Sequence, residues 1–539
     1  MCGIWAAFCK NITTSQCDKC LETLKARGPE GSRSVVLDGV GIVGFTRLAI
    51  NGLNDAGMQP MEHGTTLSIT NGEIYNWKQL AKEYKVQCST GSDCEIIGKL
   101  YELYADKPLD QLAQLFNILD GVFGTVIVDM RKRRIIIARD PYGVRPLFKG
   151  ITDSSLFVGS ELKSLTEMYS NISVFEPGTY AVYDLDSCAL VYSARYHFET
   201  LTKLPALSDI DNALKAVRVA LEVAVKKRMM TERPVAALLS GGLDSSLVAS
   251  LVSKELRAAG APPLKTFSIG MEGSEDLFYA RKVAKWIGSD HTEIIKTDAE
   301  FFEAIPNVIR SIESYDTTTV RASVGNWLVA KAVAEQSDCK VVFNGDGADE
   351  IWGSYLYMYN APSESAYEQE TVRLLKDIHT FDVLRSDRSI SSHGLEPRTP
   401  FLDKAFVQTI LQLPVEFRRP TSKVQEKWLL RKAFDDGITL PNEVLYRRKE
   451  AFSDGVSGKK PWYLVTQDMS SELFNGLTVD YSKYSINTPR TPEMYYYREL
   501  FNRYYGNILG NITVPYFWMP KWSTTLDPSA KTLENYIVL

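Results

Sequence analysis

Apolar and polar positions follow one rhythm up to about Tyr196 and another beyond residue 210. In the first part the apolar residues come in short runs: 42–50, 66–70, 122–130, 134–138, 156–159 and 179–185. Runs of this length, rich in Val and Ile and bounded by turn residues, predict strands. Val126-Ile127-Val128 and Ile135-Ile136-Ile137 flank a charged turn at residues 131–134, which predicts a hairpin. Helical stretches such as 94–104 lie between. The pattern predicts an α+β domain of layered antiparallel sheets with helices over residues 2–196.

A linker, Glu199-Thr200-Leu201-Thr202-Lys203-Leu204-Pro205, leads into the second part. Ser208 reads as an N-cap with Asp211 three residues on, and Ile210, Leu214, Val217 and Leu221 follow at helical spacing. Short apolar runs then alternate with helices. The runs are 235–239, 266–269, 292–295 and 341–344. The helices extend to about 259 and over 277–287 (closed by Gly288), 301–312 and 323–335. This alternation predicts a doubly wound parallel α/β sheet in a domain over residues 208–539, with ligands outside the carboxyl ends of the strands. From about Leu374 the chain turns helical and rich in aromatic residues.

Composition narrows the class. A chain of 539 residues exceeds one hydrophobic core, so two or three domains are expected. Net charge is −5 with no long basic run, which argues against nucleic acid as a partner. No segment approaches the ~18 apolar residues of a membrane span, and the N-terminus lacks a signal-peptide layout, so no membrane partner and a cytoplasmic location are expected. The eight cysteines are then expected as thiols rather than disulfides. Cys17 and Cys20 have the spacing of half a zinc site, but no second pair accompanies them, so they read as one helix face.

Three segments carry chemistry. Ser240-Gly241-Gly242-Leu243-Asp244-Ser245-Ser246 joins a strand to a helix. Its glycines admit close backbone approach, and its hydroxyls and helix-start amides suit an anion. It lacks the lysine of a Walker A loop. An aspartate beside phosphates needs a cation, so Asp244 reads as a Mg²⁺ ligand. Asn344-Gly345-Asp346-Gly347-Ala348-Asp349-Glu350 follows another strand at the same sheet edge and suits a Mg²⁺-nucleotide site, with Asp349 a second ligand. Finally, removal of Met1 would expose Cys2. Its thiol and α-amine, with reference pKa values of about 8.5 and 7.7, would supply nucleophile and base from one residue.

Taken together, these features resemble the glutamine-hydrolysing asparagine synthetase family from end to end. The first half matches through Cys2-Gly3-Ile4-Trp5, Arg27-Gly28-Pro29, Arg47-Leu48-Ala49-Ile50, Asn71-Gly72-Glu73-Ile74-Tyr75-Asn76 and Asp140-Pro141-Tyr142-Gly143-Val144-Arg145-Pro146-Leu147, and looks like a class II glutamine amidotransferase domain. The second half matches through the Ser240 loop, residues 315–323 and 394–403, the Lys449 segment and residues 516–522, and looks like an ATP pyrophosphatase.

The resemblance implies glutamine hydrolysis at Cys2, adenylation of aspartate by ATP, and amination to asparagine with release of AMP and pyrophosphate. It implies Arg47, Leu48, Ala49, Ile50, Asn51, Glu73 and Asp93 around glutamine, with the Asn71 side chain and Gly72 amide as oxyanion donors. It implies Leu238, Ile269, Asn344 and Gly345 at ATP beside the Ser240 loop. Thr318, Thr319 and Arg321 fall near the acidic substrate, with Asp346 and Lys449 in catalysis. The implied partners are glutamine, aspartate and ATP, and a homodimer is compatible with the chain.

Two positions depart from the family. Ala26 stands where it usually has His, and Asn344-Gly345-Asp346 where it usually has Ser-Gly-Glu. A related amidotransferase or cyclising synthetase acting on another carboxylate is the alternative enzyme. A glutamine-sensing pseudoenzyme is the non-catalytic one, and the near-complete motif set argues against it.

Overall fold

The computed structural model describes residues 1–168, 171–507, 509–534 and 536, so the end of the second predicted domain at 537–539 lies outside the described residues. Two compact units emerge. One comprises Met1–Phe198 with the short segments Met230–Arg233 and Ser391–Glu396. The other comprises Glu199–Met229, Pro234–Ile390 and Pro397–Leu539.

The first unit is built on twelve strands: β1 (Gly3–Phe8), β2 (Gly31–Leu37), β3 (Gly41–Arg47), β4 (Met61–His63), β5 (Thr66–Ile74), β6 (Gly121–Asp129), β7 (Arg134–Arg139), β8 (Phe148–Thr152), β9 (Ser155–Gly159), β10 (Asn171–Val174), β11 (Thr179–Asp184) and β12 (Leu190–Arg195). They form two six-stranded sheets, ordered β10-β8-β9-β1-β3-β2 and β12-β11-β7-β6-β5-β4. The pairs are antiparallel, including the predicted β6–β7 hairpin, where Val126 faces Ile137 and Val128 faces Ile135.

Strand periodicity explains the layers. Val126, Val128, Ile135 and Ile137 meet Ile4, Ala6, Val43 and Phe45 of the other sheet in one core. Their neighbours Phe123, Ile127 and Ile136 point the opposite way, onto Leu100, Leu115 and Phe116 of the helices α3 (Glu95–Tyr104) and α4 (Leu112–Ile118). The helix Thr14–Leu24 covers the outer face of the first sheet with Cys17, Cys20, Leu21 and Leu24. The CxxC cysteines are therefore helix-face packing, and the unit has four layers.

In the second unit the strands β13 (Val235–Leu238), β14 (Lys265–Gly270), β15 (Asp290–Ile295), β16 (Val341–Phe343) and β17 (Glu396–Arg398) make one sheet in the order β15-β14-β13-β16-β17. The β13–β14, β14–β15 and β13–β16 pairs are parallel. The chain leaves β13 toward β14 and later returns on its other side at β16. The carboxyl ends of β13 and β16 thus flank the topological switch point.

The expected N-cap at Ser208 moves by one residue. Pro205–Ser208 forms a 3₁₀ turn, and Asp209 caps Ile210–Lys227 by accepting from Asn212 N. Among the described residues, no helix is long and apolar enough to cross a membrane.

Phe116 packs against Phe123, Tyr180 and Tyr196, with ring centres 5.5–6.5 Å apart. Phe116→Ala is expected to destabilise the first unit by about 3–5 kcal/mol in urea unfolding. A loss below about 1 kcal/mol would show that this layer is not tightly packed.

Candidate functional site

The chain places two groups of candidate residues, one in each unit. In the first, β1 begins directly after Cys2 and is buried throughout, so the sheet fixes the cysteine backbone. Arg27 Nε donates to the Cys2 carbonyl at 3.1 Å, and Cys2 Sγ lies 3.5 Å from the Leu48 carbonyl. Gly28 permits this approach, since a Cβ there would sit 2.3 Å from the Thr46 carbonyl carbon. Burial pushes the Cys2 thiol up, and the neighbouring α-amine opposes it. Burial also lowers the Met1 α-amine to about 6, so an amine held here is neutral at pH 7.

Four further groups surround this cysteine. Asn71 lies in β5 with no exposed surface, and neither its Oδ1 nor its Nδ2 has a hydrogen-bond partner. A buried amide left so is costly unless a ligand completes it. Gly72 follows at a point where a Cβ would lie 2.2 Å from the Val122 carbonyl oxygen. Arg47 is buried and donates to the backbone carbonyls of Asn54, at 2.8 Å, and Gly52. Among the described residues no carboxylate pairs with it, so its charge remains available to an anion. Glu73 and Asp93 converge on the Asn51 amide nitrogen, 2.7 and 3.3 Å away. Two carboxylates focused on one N–H donor suit an ammonium. Ala49 N donates to Glu30, and Ile50 is buried beside it. The Asn-Gly pair is therefore mid-strand rather than a turn.

The second group lines a cavity at the switch point. Gly241 has φ 73°, and a Cβ would sit 2.4 Å from Ala280 N, so only glycine lets the loop pass the helix Glu275–Ile287. Gly345 brings the β16 loop against the β13 loop, because a Cβ would lie 2.7 Å from Ser245 N. Leu238, Ser240, Gly242, Asp244, Ser245, Ile269 and Thr318 line the cavity, as do Asn344, Gly345, Asp346, Asp349 and Lys449. Ser246 is fully buried with its hydroxyl unpartnered. Ser240 and Ser245 hydroxyls hydrogen-bond each other at 3.0 Å.

Thr319 and Arg321 are turned to other work. Thr319 bonds Asp316 at 2.8 Å, and Arg321 is held between Glu493, at 2.6 Å, and Asp527, at 2.8 Å. The shorter Asp346 accepts from Arg385 at 3.1 Å, and the Asn344 side chain accepts from Asp346 N at 3.4 Å while donating to Ser386 at 2.7 Å. Asn344 thus braces the loop that carries the shortened acid. Ala26 is exposed, and nothing in the structure explains the missing His.

Sequence reasoning missed Lys427. Its buried ammonium donates to Asp244 at 2.6 Å and Asp349 at 2.7 Å, while Lys449 holds the other Asp349 oxygen at 2.6 Å. Burial opposes ionisation of Asp349, but the two ammoniums outweigh it and hold the carboxyl well below the usual range. Arg447 was missed too. It bonds Asp276 at 2.8 Å and stacks over Tyr279. A run of Lys and Arg in an irregular segment gives no local signal for either contact. Among the described residues, no three His, Cys, Asp or Glu side chains are grouped to hold a metal.

The first unit has the layering of an N-terminal-nucleophile amidotransferase, and the second is a parallel-sheet synthetase domain. A glutamine amidotransferase domain model matches residues 1–214, and an asparagine synthase model matches 216–369 and 359–507. The chain is 41% identical over 567 residues to the glutamine-hydrolysing asparagine synthetase of Gallus gallus, covering 99% of each. It is 40% identical over 568 residues to that of Homo sapiens, again covering 99% of each. The chain belongs to the glutamine-hydrolysing asparagine synthetase family.

Replacing Lys427 leaves Asp244 and Asp349 facing each other without their shared cation. Lys427→Met is expected to cost about 3–5 kcal/mol at pH 7. Asp349 is depressed in the folded state, so its contribution is present above the ordinary carboxyl pKa and fades as pH falls. The deficit should therefore shrink below about pH 4. An equal deficit at both pH values would rule out this ion pair as its source.

Proposed function

We propose that this chain makes asparagine from aspartate, using glutamine as nitrogen donor and ATP as activating substrate, in the cytoplasm. Glutamine hydrolysis is assigned to residues 2–196 and synthesis to residues 208–539. One observation carries the reading: a cysteine beside an unpartnered buried amide occupies one unit, while a nucleotide-sized cavity at a sheet switch point occupies the other.

In the first unit Arg47 takes the glutamine α-carboxylate, and Glu73 and Asp93 take its α-ammonium. The main chain of Leu48, Ala49 and Ile50 and the Asn51 side chain shape the pocket. With Met1 removed, the Cys2 amine accepts the thiol proton as sulfur attacks the amide carbon. Asn71 Nδ2 and Gly72 N–H stabilise the oxyanion, and an unpartnered Nδ2 costs no rearrangement to do so. Ammonia leaves, and water resolves the thioester to glutamate.

In the second unit the Ser240–Ser246 loop receives phosphate oxygens, and Leu238 and Ile269 border the base. Lys449 and Lys427 offset the triphosphate charge. Asp244 Oδ1 is buried without a hydrogen-bond partner, so it fits one contact to Mg²⁺, which takes one or two carboxylates plus phosphate oxygens. Asp349 would have to release a lysine to contribute. When bound, Mg²⁺ neutralises phosphate charge. Thr318 and the Asp346–Arg385 pair face the place where aspartate is activated. Arg321 supports that wall from behind and does not contact substrate.

Incubation with ATP, Mg²⁺, aspartate and glutamine should yield asparagine, AMP and pyrophosphate. Formation of ADP, or of glutamate alone, would refute the assignment. Cys2→Ala should abolish glutamine-dependent synthesis and spare synthesis from ammonium. Loss of both would show that the chemistries are not separable. Asp346→Ala should lower asparagine formation by about 10²–10³, and Asp346→Glu should retain substantial activity. Full activity in Asp346→Ala would remove this residue from catalysis.

A further inference from the structure

Residues 447–451 carry Lys449 yet form no helix or strand, so no backbone ladder fixes them. A lysine on a long flexible stem is directed only as well as its backbone is held. The holding comes from residues 527–536. Tyr536 Oη donates to Glu450, 3.1 and 3.0 Å from its two carboxylate oxygens. Lys531 Nζ stands 3.5 Å from the same carboxylate. The Arg448 guanidinium lies 4.9 Å from the centre of the Tyr536 ring. Ser529 Oγ donates to Asp454 at 3.0 Å. Both neighbours of Lys449, and the short helix after it, are therefore gripped by one stretch of chain.

That stretch is itself anchored. Asp527 takes two hydrogen bonds from Arg321 at 2.8 Å, in a cluster with Glu493 that Arg321 completes from the helix Thr317–Gln336. Ala530, Leu533 and Tyr536 pack on the aromatic cluster around Tyr357. Thr318, on the same helix as Arg321, lines the cavity that Lys449 enters.

We propose that Tyr536, Lys531 and Ser529 are positioning residues for Lys449, holding its segment so that the ammonium faces the nucleotide. The inference rests on the assignment of Lys449 to the nucleotide. It also gives the buried Arg321 ion cluster a purpose: it fixes the tail that fixes the lysine.

Tyr536→Phe keeps the ring and deletes only the hydroxyl, and Ser529→Ala deletes the second one. In the full-length protein, ammonium-dependent pyrophosphate release is measured against ATP concentration, together with hydrogen exchange over residues 447–454 and the thermal midpoint. Loss of hydrogen bonds to charged groups should lower kcat/KM for ATP roughly tenfold in the double variant. Exchange in 447–454 should quicken while the midpoint stays unchanged. Tyr536→Phe should add little to the loss already caused by Glu450→Gln, because both remove one contact.

Unchanged kcat/KM for ATP, additive losses with Glu450→Gln, or a deficit confined to the midpoint would each overturn the proposal. Lys449→Met separates the two levels. If it abolishes turnover while the tail variants do not, only the positioning proposal falls. If it leaves turnover intact, the assignment of Lys449 falls as well.

Discussion

The buried Lys427 ammonium ties together the two loops that leave the neighbouring strands β13 and β16. Asp244 comes from one loop and Asp349 from the other, and two carboxylates at this spacing would repel without the cation between them. The same ammonium sets the floor of the cavity, since both carboxylates line it. Gly345 completes the arrangement, because a larger residue would hold the loops apart. Lys449 joins the network from a third segment, so three stretches of chain with no local relation depend on one buried set of charges.

The two sites are marked by what their buried polar atoms lack. Native interiors satisfy such atoms, and exceptions call for an explanation. Asn71 in the first unit and Asp244 Oδ1 in the second are both buried without partners. Each lies where the proposed chemistry puts a ligand: an oxyanion at one, a cation at the other. Arg321 is the opposite case. It has the charge a carboxylate substrate would need, but Glu493 and Asp527 already satisfy it. Desolvating a fully paired arginine and then breaking its pairs would cost more than a substrate contact returns.

The departure at residues 344–346 has a local explanation. Asp346 is one methylene shorter than the usual Glu, and Asn344 braces its backbone while reaching Ser386. A Ser at 344 has one short hydroxyl and cannot make both contacts across the same span. The two changes are thus parts of one rearrangement.

Much of the architecture was legible in the residues alone. Period-two runs predicted β3, β5, β6, β7, β9 and β11, and strand–helix alternation predicted β13 to β16, because both signals are local. The strands β2 and β12 escaped, being edge strands with polar, exposed sequences, and β17 escaped because three residues make no periodicity. Cys2, Asn71-Gly72 and the Ser240 and Asn344 loops carry glycines and acids in local patterns, so sequence could single them out. Only the tertiary structure decided the charge partners. Lys427 meets an aspartate 183 residues away, and Tyr536 meets a glutamate 86 residues away. A lysine or tyrosine in an irregular segment looks the same whether solvated or buried. What distinguishes them is the field and the desolvation of the folded site, and those exist only once distant segments are brought together.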